Sequence, residues 1–304
     1  MTEKYSQHWF EQIIDNLSIK SGKEQYLRNK VNYVKNQLIK VSELIFNPPE
    51  TAIQEFSNTV HVQGFWYGGS FDLGVHINKS FDIDNYIVYK ENEGITLNLE
   101  ILDGECLFTT LFLDLTEIHK KINENLVIAQ DLPRTHAIPI DLHDQNKILK
   151  MDCIPAIELP NDYLLVPNGW NDQKKINLKS EERGLKKLNK KHQGNGTKLI
   201  WLLKFWNWNW QKPLKSYVIQ RLVEEIFLDH EIETWKGAVK TFFKESVNLF
   251  EEHYKDELIL RDRVYTQESI LLDYDEKLVK KFNGTLRHAN NLSRKNQWEK
   301  LFSK

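Results

Sequence analysis

The sequence predicts an α+β fold, a mixed sheet with helices, followed by an all-α lobe. Three observations predict it. Short runs rich in β-branched and aromatic residues gather between positions 61 and 154, the composition of strands. From about residue 180 the apolar positions recur at helical spacing and continue to do so. A further helical pattern fills residues 5–46.

The elements follow in order. Apolar side chains fall at Trp9, Ile13 and Leu17, then at Leu27, Val31, Val34, Leu38, Val41, Leu44 and Ile45. Ser21-Gly22 interrupts this run, so two helices are expected, the second long, and Asn47-Pro48-Pro49 ends it. A short helix from Glu50 to Asn58 leads to a strand at 61–67. Strands are expected near 82–90, 95–102, 106–114 and 148–154, with a helix near 114–123. Residues 158–179 hold Pro160, Asn161, Pro167, Asn168 and Gly169 and read as a polar connecting loop. Helices are expected at 180–192, 196–209, 214–229, 233–254 and 274–303. The division is drawn at 1–165, an N-terminal helical brace with the sheet lobe, and 166–304, the helical lobe, with the first long helix bracing both.

The chain has 304 residues, 40% hydrophobic and 28% charged, as a soluble globular protein does. A net charge of −2 argues against a surface coated in nucleic acid, though a local basic groove is compatible with it. Cys106 and Cys153, the only cysteines, lie in apolar runs, which fits reduced thiols in a cytoplasmic protein. Two cysteines with no companion Cys/His cluster cannot make a four-ligand zinc site. The polar start offers no signal peptide, and no window reaches the roughly 18 apolar residues of a membrane helix.

The chemistry concentrates in residues 68–84. Gly68-Gly69-Ser70 offers backbone N–H groups and a hydroxyl, the donors that a triphosphate needs. Asp82 and Asp84 follow in Phe-Asp-Ile-Asp-Asn-Tyr-Ile-Val-Tyr, a strand-like segment. On a strand, side chains two apart share a face, so both carboxylates point one way while Ile83 points into the core. Such a pair suits a hard cation such as Mg²⁺. Each part alone is common: glycine-serine turns are mostly structural, and an isolated Asp-x-Asp is usually a solvated strand face. Their order and spacing make the conjunction specific. Asp152 adds a third carboxylate, flanked by Met151, Cys153 and Ile154, where burial is costly unless the charge is paired or bound to metal. A phosphate turn facing a metal-binding pair is apparatus for moving a nucleotidyl group.

These residues resemble the polymerase-β-type nucleotidyltransferases, and more narrowly the cGAS/DncV-like nucleotidyltransferases (CD-NTases), relatives of cyclic GMP–AMP synthase and oligoadenylate synthase. The resemblance rests on Gly68-Gly69-Ser70 with Gly74 and Asp82-Ile83-Asp84, and on Met151-Asp152-Cys153-Ile154-Pro155-Ala156-Ile157. It continues in Leu202-Leu203-Lys204-Phe205-Trp206-Asn207 and Leu214-Lys215-Ser216-Tyr217. Val75 departs from it, standing where the family often has Thr. The resemblance implies an active site in the cleft between the two lobes. Asp82, Asp84 and Asp152 would be catalytic and hold two Mg²⁺ ions, with Mn²⁺ as a substitute. Gly69, Ser70, Lys204, Ser216 and Tyr217 would bind the triphosphate. The substrates would be NTPs (ATP, GTP or pyrimidine NTPs), and the product a cyclic di- or trinucleotide that reaches a downstream effector in bacterial anti-phage (CBASS-type) signalling. The zinc ribbon by which cyclic GMP–AMP synthase senses DNA has no counterpart. Other outcomes consistent with the motifs are a linear oligonucleotide synthase, transfer to an RNA end or protein hydroxyl, and an inactive nucleotide-binding scaffold.

Two features of the helical half bear on this reading. Lys204 is the only charge in Leu-Ile-Trp-Leu-Leu-Lys-Phe-Trp, a helix apolar almost all round. It either snorkels to water or reaches phosphate oxygens. Ser216, after Pro213, reads as a helix N-cap, a position that also attracts phosphate. Trp201, Trp206, Trp208 and Trp210 read as core. The basic run 174–192 (Lys174, Lys175, Lys179, Arg183, Lys186, Lys187, Lys190, Lys191 and His192) is a solvated helix face by default. An activating nucleic acid, an acceptor RNA or a partner protein would be its ligand otherwise. Tyr163 or Trp170, in the loop after Asp152, would offer a resting place for a nucleobase.

Overall fold

The computed structural model describes residues 6–18, 21–42, 60–77, 83–91, 105, 107–112, 115–116, 126–128, 137–144, 147–211, 213–253 and 276–302. The chain divides into two compact units. A sheet unit comprises residues 20–72 and 82–178, and a helical unit comprises residues 1–19, 73–81 and 179–304. The expected division at 165/166 differs from this partition in two respects. The first residues and the short stretch 73–81 go with the helices, and residues 166–178 go with the sheet.

In the sheet unit, α2 (Ser21–Ser42) precedes β1 (Val60–Gly68), which runs into a one-turn helix, α3 (Gly69–Asp72). The further strands are β2 (Ile83–Glu91), β3 (Leu126–Ile128), β4 (Ile138–Asp144), β5 (Lys147–Leu159), β6 (Tyr163–Pro167) and β7 (Gln173–Ile176). Among the described residues these make one mixed sheet in the order β1-β2-β5-β4-β3, with β6 joining β5 to β7. Among the described residues only β2 and β5 run parallel. Long β5 borders β2 along one edge, and β4 and then β6 along the other.

Several expectations change here. Residues 158–179 are not a loop: they finish β5, pass through a short 3-10 turn at Pro160–Asp162 and form the hairpin β6–β7. Residues 107–112 are helical rather than extended, with Leu107, Phe108 and Leu111 buried. That spacing of apolar side chains is the period of a helix, which outweighed strand composition. The expected helix at 50–58 and strand at 95–102 lie outside the described residues.

The helical unit holds α1 (Gln7–Leu17), α4 (Leu178–Lys191, from residue 179), α5 (Asn195–Asn209), α6 (Ser216–Asp229), α7 (Trp235–His253), α8 (Glu276–Arg294) and α9 (Trp298–Phe302). Phe10 and Ile14 of α1 sit in one core with Trp206, Leu222, Phe243 and Trp298. Edge-to-face pairs order this core: Trp206 lies 4.8 Å from Phe243, and Phe10 lies 5.5 Å from Trp298. The expected single helix 274–303 is two. Asn296 takes a left-handed φ of 54°, and the Gln297 N–H donates to the Leu292 carbonyl at 2.9 Å, closing α8. Among the described residues no helix is long and apolar enough to cross a membrane.

Candidate active site

The turn Gly68-Gly69-Ser70 stands where β1 becomes α3. Gly68 lies opposite Asp84 in the β1–β2 ladder. Gly69 has φ 61°, and a Cβ there would sit 3.0 Å from the Asp84 carboxyl carbon and collide with Oδ2. Glycine is therefore required twice, by the left-handed backbone and by the carboxylate lying against it. Phe71 fixes the other side of the turn. It is fully buried, its ring is 6.3 Å from Tyr67, and the Arg28 guanidinium of α2 lies 5.1 Å above it. Burial raises the Tyr67 hydroxyl pKa; the Arg28 charge opposes the rise, and Asp72 adds to it. That hydroxyl donates to Asn32 at 2.8 Å.

Asp84 and Asp152 are register partners on the parallel pair β2–β5, so their side chains stand side by side on one face. The opposite face belongs to α2. Tyr67, opposite Asn85, bonds to Asn32, and Lys35 lies over Phe65, opposite Ile87. Both aspartates are half-buried, while their neighbours Ile83, Asn85, Met151 and Cys153 are buried. Neighbouring strands are about 4.8 Å apart, and oxygen–cation distances are about 2.0–2.6 Å, so one hard cation can be shared by both carboxylates. Asp82 lies outside the described residues, and among the described residues no three His, Cys, Asp or Glu side chains group as metal ligands. The donor set present suits Mg²⁺: it is all oxygen, and the adjacent sulfur is unsuited. Burial pushes the Cys153 thiol far above its usual range, with the Asp152 charge adding to the effect. It stays protonated on the other face.

Lys204, Ser216 and Tyr217 lie in the helical unit. Lys204 is only 5% exposed, and its ammonium donates to the Val75 carbonyl at 2.9 Å. It does not snorkel to water. Ser216 is exposed and is the first residue of α6; Lys215 occupies the cap position, with no side-chain cap bond. The α5–α6 turn is closed instead by Asn207, which accepts from the Leu214 N–H at 3.0 Å and donates to the Leu214 carbonyl at 2.7 Å. Tyr217 is half-buried against the helical core.

The basic run separates into two parts. Lys179, Arg183, Lys186, Lys187 and Lys190 are exposed on α4 and fall within an arc of about 100° on a helical wheel. Lys186 of this face pairs with Glu182 at 2.6 Å. Lys191 and His192 are not part of this face. Lys191 donates to the carbonyls of Phe227, Leu228 and His230 at 3.3, 2.6 and 3.3 Å, and pairs with Glu231 at 3.2 Å. Buried His192 lies 2.8 Å from the Phe227 carbonyl through Nε2. Together they cap the C-terminal end of α6.

Two residues have structural roles that the sequence did not reveal. Gly68 needs glycine because a Cβ would strike the Tyr86 ring. Trp201, taken as core, donates its indole N–H to the Gly74 carbonyl at 3.0 Å. Both depend on contacts between residues distant in sequence, and nothing local carried either.

The mixed sheet, with a Gly-Gly-Ser turn packed on a strand carboxylate, and the separate helical unit make up the fold of the cGAS/DncV-like nucleotidyltransferases. No family model matches the sequence. A probable cyclic nucleotide synthase of Bacillus cereus (strain VD146) is 28% identical over 120 residues, 38% of this chain and 34% of that protein, so the match spans about a third of the curated relative. Among solved structures, CdnC of E. coli MS115-1 in complex with HORMA-deltaN superposes with TM-score 0.73 at 15% identity, covering 100% of this chain and 99% of that one. Vibrio cholerae DncV cyclic AMP-GMP synthase, bound to the linear intermediate 5′ pppA(3′,5′)pG, gives 0.66 at 11%, covering 96% and 93%. Bradyrhizobium diazoefficiens CdnG, a CD-NTase in complex with GTP, gives 0.63 at 10%, covering 96% and 94%. At these identities the likeness is one of fold.

Proposed function

We propose that the chain is a Mg²⁺-dependent nucleotidyltransferase that builds a cyclic di- or trinucleotide second messenger from NTPs. One observation carries this reading: Gly69 is packed on the Asp84 carboxylate, whose register partner is Asp152. That arrangement supports a site at which phosphate donors and cation ligands meet. The names of the similar proteins, a probable cyclic nucleotide synthase and a cyclic AMP-GMP synthase, support the product class. The reading extends to a cytoplasmic enzyme whose product signals to an anti-phage effector.

In this mechanism Asp84 and Asp152 would hold the divalent cations, with Asp82 added on the resemblance alone. When bound, the cations neutralise charge on the triphosphate and lower the pKa of the acceptor hydroxyl. The Gly69 N–H and the Ser70 hydroxyl hold phosphate oxygens and fix the α-phosphorus for in-line attack by a ribose hydroxyl. Pyrophosphate leaves, and the hydroxyl proton passes to solvent or to a carboxylate oxygen. The protein's share is positioning and charge complementarity. The part of Lys204, Ser216 and Tyr217 in triphosphate binding rests on the resemblance. A second reading, transfer to an anionic acceptor such as an RNA end, is favoured by the cationic face of α4, where an activating partner would also dock.

The test is product formation. Purified protein is incubated with Mg²⁺ and labelled NTPs, treated with phosphatase and chromatographed, beside Asp84→Asn and Asp152→Asn. A phosphatase-resistant product lost in both variants is expected. Product only upon adding RNA, with the label on the RNA, would select the second reading. Equal product from the variants would overturn both.

A further inference from the structure

The stretch 73–77 has an unusual place in the chain. It lies in sequence between the Gly-Gly-Ser turn and β2, both in the sheet unit, yet it belongs to the helical unit. Val75 is fully buried in the helical core, Leu73 packs against that core, and His76 and Ile77 are buried. Two side chains of α5 grip its backbone. The Trp201 indole donates to the Gly74 carbonyl at 3.0 Å, and the Lys204 ammonium donates to the Val75 carbonyl at 2.9 Å. Trp201 and Lys204 are three apart on one helix, hence neighbours on one face. They hold consecutive carbonyls. The grip is well anchored, since α5 carries buried Leu199, Ile200, Leu202, Leu203 and Trp206 around it.

We infer that Trp201 and Lys204 form a clamp that positions the phosphate-binding turn. Ser70 is separated from Val75 by four residues only, so the carbonyls held by α5 limit how far the turn can move. On its other side the turn is held by β1 and buried Phe71. Holding the chain just past the turn restricts the Gly69 N–H and the Ser70 hydroxyl before a phosphate arrives, which lowers the cost of ordering a binding loop. Lys204 and Trp201 are thus positioning residues. The clamp uses both donors, the indole on the Gly74 carbonyl and the ammonium on the Val75 carbonyl. This inference rests on the proposed activity only for its kinetic arm.

Hydrogen exchange tests it without activity. The experiment compares wild type, Trp201→Phe, Lys204→Met and the double variant, reading amide exchange of residues 70–77. Both single variants are expected to exchange there about tenfold faster, with other peptides unchanged. The double variant is expected to add little, because breaking one clamp twice is not additive. With NTP, both single variants raise KM more than they lower kcat, and Lys204→Arg, which keeps a donor, recovers most of the loss. Unchanged exchange at 70–77 in Trp201→Phe would overturn the clamp, as would single-variant effects on exchange that multiply in the double. Should Trp201→Phe not fold, Lys204→Met against Lys204→Arg decides: the clamp requires faster exchange at 70–77 in the first and near wild-type exchange in the second. Wild-type protein without product, but with the expected exchange pattern, would sink the activity and leave the clamp standing.

Discussion

Replacing Gly69 by alanine separates backbone strain from damage to the site. The residue has φ 61°, so any side chain there pays for a left-handed backbone, about 1–2 kcal/mol. At roughly 2–4 °C per kcal/mol, that lowers Tm by a few degrees. The larger effect is local. The added Cβ would lie 3.0 Å from the Asp84 carboxyl carbon and overlap Oδ2, so the carboxylate must swing away. Carbon contacts settle near 3.5–4.0 Å, so the oxygen moves by about an ångström or more. Cation ligands tolerate about 0.2 Å. A misplacement of about 1 Å costs on the order of a hundredfold in rate. Gly69→Ala should therefore lose about a hundredfold in kcat and most of the thermal shift that Mn²⁺ gives the wild type. Gly194→Ala is the control: φ is 83°, but nothing lies within 4 Å of its Cβ, so it should show the strain without the rate loss. The assay is product formation from labelled NTPs, with melting curves at several Mn²⁺ concentrations. A Gly69→Ala variant that keeps more than about a third of kcat, with its Mn²⁺ shift intact, would refute the placement of Asp84 at the reacting centre.

Three further outcomes follow from the packing. The Cys153 thiol and the Tyr67 hydroxyl are both raised, Cys153 by burial with the Asp152 charge adding, so the folded state retains protons that the unfolded chain has lost. Their contribution is complete below the ordinary thiol value of 9.0 and falls as pH rises through it, so the urea midpoint should drop above that pH and drop less in Cys153→Ala. Lys191→Met strips the α6 C-terminus of the donor to three carbonyls and should cost about 1–2 kcal/mol in urea unfolding, with no loss of product formation. Arg221 and Glu224 are 2% and 1% exposed and ion-paired, with Gln220 bridging Glu224 to buried Glu181. Arg221→Met alone should cost about 3–5 kcal/mol, and adding Glu224→Leu should recover part of it, both read from denaturant midpoints.

The helices were legible because their signal is local. A core face repeats every three or four residues, and α4, α5, α6 and α7 fall within two residues of where that period places them. The weakest strands were not legible for the same reason. β3 has three residues, and β6 and β7 are short and joined through Asn168 and Gly169, so their polar residues outweigh their apolar ones until pairing is seen. Asp172 shows how such a segment is made: its carboxylate accepts from the Asn168 amide at 2.9 Å and the Gln173 N–H at 2.8 Å, bonds that hold its pKa below the usual range. Read without partners, those residues are a loop. Lys191 and His192 show the converse error, in which charges adjacent in sequence are counted as one surface although helix α4 turns them onto the end of α6.

The candidate site was half legible. Gly69, Ser70, Asp84 and Asp152 could be picked out because the chemistry fixes residue type, yet what ties them together is register. Asp84 and Asp152 are far apart in sequence and become neighbours only because β2 and β5 run parallel with Asp84 opposite Asp152. A shift of one residue in that ladder would turn Asp152 onto the α2-covered face and bring Met151 or Cys153 beside Asp84. The buried row Ile83, Asn85, Ile87 and Met151, Cys153, Ile157 forbids that slip, since it would drive half-exposed Asp152 into the core and bring Met151 or Cys153 out of it. The apolar residues between the carboxylates thus set the register on which the proposed cation site depends.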